Sequence, residues 1–479
     1  MIAILKREWK SYFQNITGWL FIAAVLALYG LYFLAYNLRA GYPYVSYTLS
    51  AISFIMLIAV PILTMRSMAE ERHSRTDQLV LTAPVSLGKM IFGKFLAMVG
   101  VFTVAVAVIA VTPLVLAAFG TVPLGENYVA VLGFWLYGCT CIAVGMLASA
   151  LTESQVIAAV VAFAFLFLGY MMNSITGLIG DHLVTKVLGA YDLYTPLQSF
   201  MSGCLDLTGV VYFVSVTGLC LFLTCQCVQK RRWSMTTKKL TTGMFSVAMI
   251  VVGFAVAVAV NLVVKEMPSS WTAVDATSTK LYSLTDTTKD YVKNLSQDVT
   301  IYVLSSEKSA DSTLAETLQR YEDLSKHLKV VYKDPAKSPN FYQQYTDSAP
   351  SQNSMIVVSD ARSRVVDYSD VYEYSYDYST YSSSVDGYDA EGQLTSALQY
   401  VTKADSELPV IYEITGHGEN ALSGGFSEAV EKANMTVSQL TLLTEDAVPD
   451  DAAAIIINGP TSDLSEDDAA KVKDYLQGG

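Results

Sequence analysis

A cluster of charged and hydroxyl side chains lies between two long apolar stretches near the start of the chain. It consists of Glu70, Glu71, Arg72, Arg75 and Thr76. On a helix, carboxylate and guanidinium groups at this spacing present mixed charge to a partner protein. The cluster therefore predicts either a docking surface for a protein or a solvated loop that anchors the apolar stretches.

A second pair of reactive side chains lies in the sequence Gly416-His417-Gly418-Glu419. It follows a predicted strand, and ligand sites in open α/β sheets lie where strands end. His417 and Glu419 can bind a metal or a polar ligand, and the two glycines permit a tight turn. Two side chains are too few for a site, so a ligand site and a structural turn both stay open, and no metal is predicted.

The sequence contains no phosphate-binding loop of the form GxxxxGK[ST]. At Gly88-Lys89, Ala83 stands where the first glycine belongs, and Met90 stands where the magnesium-binding hydroxyl belongs. We therefore predict no cofactor in this chain. If the protein uses ATP, the ATP and its Mg²⁺ are expected on a separate subunit.

The last part of the chain lacks the groups that hydrolytic enzymes of α/β architecture need. An amidotransferase requires an activated cysteine, and no cysteine follows Cys227. Ser423-Gly424-Gly425 does not match the G-x-S-x-G turn of serine hydrolases. The protein is therefore predicted not to be an enzyme. Its six cysteines are interpreted as small buried residues: Cys139, Cys141, Cys204, Cys220, Cys225 and Cys227.

The chain divides into two regions of opposite charge. Up to Lys265 there are 16 Lys and Arg against 9 Asp and Glu, whereas from Glu266 onward there are 15 against 35. Hydrophobic residues make up 52% of the chain and charged residues 16%, which is unusual for a soluble protein. The two regions are expected to lie in different surroundings, and nucleic acid is not an expected partner.

Seven stretches of 23 to 31 uncharged residues are each long enough to cross a bilayer core about 30 Å thick as a helix. They lie between Lys10 and Arg39, Arg39 and Arg66, Lys94 and Glu126, Glu126 and Glu153, Glu153 and Asp181, Asp206 and Lys230, and Lys239 and Lys265. The sequence therefore predicts seven membrane spans.

Basic residues are concentrated in alternate connections between these spans. The segments rich in basic residues precede the first span, join the second to the third, and join the sixth to the seventh. They hold, in turn, Lys6, Arg7 and Lys10; Arg66, Arg72, Arg75, Lys89 and Lys94; and Lys230, Arg231, Arg232, Lys238 and Lys239. Of the three connections between them, the first holds only Arg39, the second holds no basic residue, and the third holds only Lys186. By the positive-inside rule, the N-terminus is predicted to be cytoplasmic, and seven crossings place residues 266–479 outside the membrane.

The residues before the first span have an amphipathic pattern. Ile2, Leu5, Trp9 and Phe13 recur at roughly helical spacing, with basic side chains on other faces. This pattern predicts a helix lying on the inner leaflet, with a solvated basic start as the alternative.

Two segments resemble the ABC-2 type permeases. PILTMRSMAEERHSRTDQLVLTAPVS, residues 61–86, is similar to the region between the second and third spans, and YTPLQSFMSGCLDLTGVVYF, residues 194–213, to the external loop entering the last span. Together they bracket a six-span unit over residues 1–230. The resemblance implies that the cluster Glu70 to Thr76 contacts a separate ATPase subunit, with Glu8 and Trp9 adding to that surface.

After the seventh stretch, strand-length apolar runs alternate with helical patterns. Strands are predicted over Val299–Leu304, Leu328–Tyr332, Met355–Val358, Pro409–Ile414 and Ala453–Ile457, and helices over Leu314–His327 and Phe426–Ala433. This alternation predicts an α/β domain with a mostly parallel sheet. The expected organisation is a six-span helical permease (1–230), a basic linker and seventh helix (231–265), and an extracytoplasmic α/β domain (266–479).

The region from Trp271 to the end resembles the auxiliary component of gliding-motility-associated ABC transporters. The resemblance is carried by residues 271–295, EGQLTSALQYVT, VIYEITGHGEN and AAAIIINGPTSDLSEDDAAKVKDYLQGG. Such relatives usually carry this domain on a separate subunit and continue into more sheet and a closing membrane helix. The resemblance therefore raises the expectation that the last domain is incomplete at Gly479.

A run of tyrosines between Asp367 and Tyr388 alternates with Asp, Glu and Ser at a period of two. This period is typical of an amphipathic strand or hairpin. Contact of the tyrosines with carbohydrate or cell wall is one interpretation. A Tyr-rich strand on a polar surface or a low-complexity loop is the other.

These patterns favour the permease of an ABC exporter, working as a dimer in the lipid bilayer with a separate ATPase. No charged residue marks the centre of a span, which favours amphiphilic or polymeric cargo over a small ion. Two alternatives are an ATP-driven envelope scaffold or motility component whose outer domain binds a partner or polysaccharide, and a tethered hydrolase. The missing nucleophiles disfavour the hydrolase.

Overall fold

The computed structural model describes residues 2–75, 86–179, 188–230, 240–265, 267, 272–276, 283–307, 309–377, 382–403 and 408–478. The chain forms two compact units, Met1–Ser283 and Leu284–Gly479. The first unit is mainly helical and the second is α/β, as the sequence predicts. The border lies beyond the predicted one at residue 265, because a short strand after the seventh helix pairs within the first unit.

The described helices of the first unit are α1 (Ile2–Gln14), α2 (Ile16–Phe33), α3 (Ser46–Thr64), α4 (Arg66–His73), α5 (Leu87–Ile109), α6 (Thr112–Ala117), α7 (Leu124–Leu151), α8 (Gln155–Ile179), α9 (Thr195–Met201), α10 (Leu207–Lys230) and α11 (Leu240–Lys265). A π-helical turn, Leu34–Arg39, extends α2. Six helices or helix pairs among the described residues are long and apolar enough to cross a membrane: Ile16–Arg39, Ser46–His73, Leu87–Ala117, Leu124–Leu151, Gln155–Thr176 and Leu207–Gln229. They coincide with the first six predicted spans.

The start of the third span differs from the prediction. The sequence places Lys89 and Lys94 in the loop before this span, whereas α5 begins at Leu87 and contains both. Lys94 is buried, with its side chain 3% exposed. A search for charge-free stretches excludes such a residue from a span, yet a lysine paired with carboxylates is tolerated near the end of a membrane helix.

The fourth span is the central helix of the bundle. In the most apolar 18-residue stretch of α7, 78% is buried inside the protein, against 28% in the corresponding stretches of the first, fifth and sixth spans. Close packing depends on glycines in α7: a Cβ on Gly133 would overlap Phe200, and one on Gly138 would overlap Phe102. The outer spans present their remaining apolar side chains to the surroundings, as expected in lipid.

The predicted seventh span coincides with α11, and Ala248–Val264 is its apolar stretch among the residues whose side chains the structure describes. Strand β1 (Cys204–Asp206) directly precedes α10, and strand β2 (Ala273–Asp275) follows α11. The two strands pair antiparallel. Because hydrogen-bonded strands lie at the same place, α10 and α11 form a helical hairpin that leaves and returns to one end of the bundle.

Aromatic side chains cluster at both ends of the first two spans. At one end, the ring of Phe13 lies 5.2 Å from that of Trp9 and 5.3 Å from that of Trp19. At the other end, the ring of Tyr47 lies 5.1 Å from that of Tyr42. Trp and Tyr prefer the membrane–water interface, so aromatic clusters at the ends of spans are the pattern expected of membrane helices.

The second unit contains α12 (Asp286–Lys293), β3 (Val299–Val303), α13 (Ser312–Leu324), β4 (Leu328–Tyr332), β5 (Met355–Val358), β6 (Ser363–Val366), β7 (Tyr372–Asp377), β8 (Ser382–Tyr388), α14 (Ala390–Thr402), β9 (Val410–Thr415), α15 (Gly424–Lys432), β10 (Thr436–Thr441), β11 (Ala452–Ile456) and α16 (Glu466–Gly478). The five predicted strands and two predicted helices all lie within one or two residues of observed elements, except that α13 ends three residues early.

The described strands of the second unit form two larger sheets and a hairpin. One sheet, in the order β10-β9-β11, is entirely parallel. The other, in the order β4-β3-β5-β6, is mixed: β3 and β4 are parallel, and β5 is antiparallel to β3 and β6. The tyrosine-rich run forms the antiparallel hairpin β7–β8. The unit is therefore α/β, with its parallel pairs where helices connect the strands.

Candidate functional site

The cluster predicted from the sequence lies on a short helix at one end of the membrane bundle. Pro61 lacks a backbone N–H, and the helix of the second span is interrupted at Met65, where α3 gives way to α4. Ser149 of α7 accepts hydrogen bonds from the backbone N–H groups of Met68 and Ala69, each at 3.1 Å. The first turn of α4 thus obtains its N-terminal cap from another helix, which fixes its position on the bundle.

Glu70 pairs within its own helix. Its carboxylate accepts two hydrogen bonds from the guanidinium of Arg66, at 2.6 and 2.9 Å. Arg66 also donates to the hydroxyl of Thr17 in α2, at 3.0 Å. Glu70 therefore acts through Arg66 to connect the ends of the first two spans.

Glu71 belongs to a ring of four charges. The ammonium group of Lys94 lies 2.7 Å from the carboxylate of Glu71 and 3.3 Å from that of Glu8. Arg7 closes the ring by pairing with Glu8 and with Glu71. Two cations and two anions alternate, so the ring is electrically balanced and joins α1, α4 and α5.

Burial and charge act against each other on Glu8. Burial raises the pKa of this carboxyl group, but the positive charges of Lys94 and Arg7 outweigh it and hold the pKa below its usual value. Glu8 is therefore ionised at neutral pH, as the ring requires.

Arg72 bridges α4 to the connection between the fourth and fifth spans. Its Nε lies 2.8 Å from the carboxylate of Glu153, and Nη1 donates to the backbone carbonyl of Leu151 at 3.4 Å. Arg75 follows α4 in the left-handed conformation, with φ of 57°, and its side chain is exposed. Thr76 lies outside the described residues.

Three of the predicted residues thus make their principal contacts inside the chain. Glu70, Glu71 and Arg72 tie α4 to its neighbours, whereas His73 and Arg75 are exposed at the end of the helix. Sequence reasoning did not identify Lys94 and Ser149 as part of the cluster. A lysine inside an apolar helix signals a paired charge, but nothing in the sequence identifies its partners.

Lys94 also ends a near match to a nucleotide-binding loop. Gly88, Gly93 and Lys94 occur at the spacing GxxxxGK, but Phe95 replaces the required hydroxyl residue. The segment is the first part of α5, and the lysine is buried in ion pairs. It cannot form the exposed loop that surrounds phosphates.

The second candidate site is a buried histidine that bridges two carboxylates. His417 follows β9, and its Nδ1 and Nε2 each lie 3.2 Å from a carboxylate oxygen, of Glu419 and Asp468 respectively. The side chains of all three residues are at most 5% exposed. Asp468 lies in the first turn of α16, where Ser465 donates to it at 2.6 Å. Sequence reasoning found His417 and Glu419 but not Asp468.

This arrangement occupies both ring nitrogens of His417, which leaves neither free to bind a ligand. The loop after β9 is also bonded to the loop after β11: Asn420 N donates to the carbonyl of Asn458 at 2.8 Å, and Thr461 N to that of His417 at 3.0 Å. Gly416 and Gly418 have φ of 123° and 76°, which favours glycine.

Among the described residues, no group of three or more His, Cys, Asp or Glu could hold a metal. The geometry favours the structural turn.

The surroundings of His417 stabilise the ionised form of the two carboxyl groups that contact it. Burial raises the pKa of Glu419, but hydrogen bonds from backbone N–H groups and from His417 lower it overall. The pKa of Asp468 is lowered by the hydroxyl of Ser465 and by His417 and Lys471.

Comparison with known families assigns the membrane part of the chain. Residues 39–228 match the ABC-2 family transporter proteins, and residues 278–370 match a domain of unknown function, DUF7088. No curated protein matches the chain. The chain is therefore an integral membrane protein with an ABC-2 permease domain, a type of transmembrane subunit that is not itself catalytic and typically works with a separate ATPase.

Proposed function

We propose that this chain is the transmembrane subunit of an ABC exporter, in which ATP hydrolysis by a separate subunit drives movement of a substrate across the cytoplasmic membrane. The observation that carries the proposal is the fixed position of α4 within an ABC-2 permease domain. Ion pairs and hydrogen bonds join α4 to α1, α2, α5 and α7, which makes it rigid with respect to four other helices. Force applied to its exposed end, at His73 and Arg75, is therefore transmitted to the bundle.

The proposed orientation has the N-terminus and α4 in the cytoplasm. It rests on the concentration of Lys and Arg in alternate connections. Seven crossings then place the second unit outside the membrane. The pairing of β1 with β2 supports this count, because it requires α11 to return to the end of the bundle from which α10 departs.

The proposed cargo is amphiphilic or polymeric, and the proposed assembly is a dimer of permeases. An apolar groove of about 510 Å³ between α10 and α11, more open than enclosed, favours a lipidic class of cargo. Its lining contains no charged side chain and includes Val214, Phe222, Val252 and Val256.

A second candidate is an ATP-driven envelope scaffold, of the kind that the resemblance to gliding-motility-associated transporters suggests. The second unit favours this candidate because it has hydrophobic cores of its own, which include Ile301, Tyr321 and Leu394. An outer domain of this size exceeds what a simple exporter needs. In this function, the outer domain would bind an envelope protein or polysaccharide.

The test is to purify the full chain from its native membrane through a C-terminal tag, identify co-purifying proteins by mass spectrometry and assay ATP hydrolysis. We expect an ATPase subunit. Its recovery should fall at least about tenfold when His73 and Arg75 are both replaced by alanine, as for loss of central contacts in an interface.

Arg39→Ala is the matched control, because Arg39 is exposed at the other end of the first span. It should leave recovery of the ATPase unchanged. Recovery of an ATPase subunit together with envelope proteins, without transport of a substrate into vesicles, would reject the exporter and support the scaffold. Transport into vesicles that survives removal of residues 284–479 would support the exporter.

A further inference from the structure

The ring formed by Arg7, Glu8, Glu71 and Lys94 contains the most deeply buried charge of its cluster. Lys94 has three N–H donors, and all three have acceptors: Glu71 at 2.7 Å, Glu8 at 3.3 Å and the backbone carbonyl of Ser67 at 3.2 Å. An ammonium group that leaves water is stable when every donor is used and the charge is balanced. Lys94 is therefore held in one place by the residues around it.

The four charges alternate in sign around the ring, which determines what each pair does. Arg7 with Glu8 lies within α1, and Lys94 with Glu71 lies within the membrane bundle. The pairs Arg7–Glu71 and Lys94–Glu8 cross between α1 and the bundle. Attachment of α1 therefore depends on the two crossing pairs.

From this arrangement we propose that Lys94 is a positioning residue, which holds the N-terminal helix on the second and third spans so that residues 2–14 move with α4 as one body. The helix α1 is then part of the mechanism by which the bundle receives force, in addition to the connection after α4. The mechanical role rests on the proposed function, whereas the attachment itself does not.

The alternating charges allow a test that changes neither composition nor net charge. Arg7→Glu with Glu8→Arg inverts the pair on α1. Glu71→Lys with Lys94→Glu inverts the pair on the bundle. Either inversion alone keeps the attraction within each pair and makes both crossing pairs repulsive, whereas all four substitutions together restore attraction everywhere.

The measurement is hydrogen–deuterium exchange of residues 2–14 in the full chain in lipid nanodiscs. We expect each single inversion to speed exchange of α1 about tenfold or more, and the fourfold variant to recover most of the protection. Unchanged exchange in both single inversions would overturn the proposal. Failure of the fourfold variant to recover would also overturn it, because it would show that shape and not charge attaches α1.

Two further variants keep the test decisive. Glu8→Gln removes one charge with little change of shape and should speed exchange of α1 by a smaller factor, so it replaces any inversion that does not fold. Inversion of the exposed pair Asp286 and Lys289 is the control and should leave exchange of α1 unchanged.

The mechanical role has a separate readout. With the ATPase subunit present, the single inversions should retain the subunit but lose most of the coupling between substrate and ATP hydrolysis, and the fourfold variant should regain it. Retained coupling in an inversion that frees α1 would reject the mechanical role. If no ATPase subunit is found at all, the proposed function fails, while the exchange data still decide whether Lys94 attaches α1.

Discussion

The indole ring of Trp9 lies against the α-carbon of Gly100, so closely that a Cβ atom on Gly100 would overlap it. Trp9 belongs to α1, and Gly100 lies in the third span. This contact and the charged ring around Lys94 both join α1 to α5, one by shape and the other by charge.

Replacement of Gly100 by alanine is expected to displace Trp9 and to lower the melting temperature of the full chain. The physical reason is that the added methyl group and the indole cannot occupy the same space. The melting temperature can be measured by nanoscale fluorimetry. In a Trp9→Ala background the same substitution should have little effect, and an equal loss in both backgrounds would contradict the contact. Gly30→Ala is the control, because a Cβ there meets nothing within 4 Å.

Replacement of Ser149 by alanine is expected to destabilise the first unit by about 1–3 kcal/mol. The substitution removes the cap of α4 and leaves the buried N–H group of Met68 without the acceptor that Ser149 provides. Thermal unfolding measures the change. Ser154→Ala should have a much smaller effect, since its hydroxyl accepts only a long, weak hydrogen bond of 3.5 Å from Ile157 N. Equal effects of the two substitutions would contradict the capping role.

Replacement of Asn261 by leucine is expected to weaken the packing of α11 on α10 by about 0.6 kcal/mol. The amide of Asn261 donates to the hydroxyl of Ser215 at 2.7 Å, which links the two helices within an apolar region. A double-mutant cycle with Ser215→Ala, measured by thermal unfolding, isolates this hydrogen bond. Fully additive losses would show that the two side chains do not interact.

Acid is expected to destabilise the second unit at the turn after β9. The pKa values of Glu419 and Asp468 are lowered in the folded state, so below about pH 4.5 the unfolded chain binds more protons than the folded chain. The stability that these groups contribute is present above their ordinary pKa values and is lost as the pH falls through the folded ones. The loss is measured as the protection of the β9 amides from hydrogen–deuterium exchange, relative to the unfolded chain, at pH 7 and at pH 3.

A double variant, Glu419→Gln with Asp468→Asn, should flatten that pH dependence and lower stability at neutral pH. Glu466→Gln, at an exposed position of α16, is the control and should preserve the wild-type dependence. An unchanged dependence in the double variant would show that the histidine cluster does not govern the acid response.

The fold of the first unit follows closely from the sequence because a bilayer imposes a length and a charge rule on each span. The charge rule also explains why the predicted start of the third span is wrong at Lys94. A search for charge-free stretches treats every lysine as a boundary, whereas Lys94 is compensated by Glu8 and Glu71, which are 86 and 23 residues away in sequence. Such pairing depends on how helices pack, and a single sequence does not contain that information.

The candidate sites show the same division. The sequence located Glu70, Glu71 and Arg72 together because they are neighbours in sequence, and it located His417 with Glu419 for the same reason. It did not find Ser149 or Asp468, which approach these residues from distant elements. Neighbours in sequence are predictable from spacing, whereas partners supplied by tertiary packing are not.

The antiparallel pairing of β1 with β2 gives the chain two mechanical routes at the end of the helical hairpin. Tension that enters the backbone at Asp275 divides, because one branch runs back along α11 while the other crosses the hydrogen bonds to β1 and reaches the first turn of α10. The β1–β2 pair therefore connects the two helices of the hairpin directly at one end. A displacement of the segment after β2 is delivered to both helices at once, without first travelling the length of either.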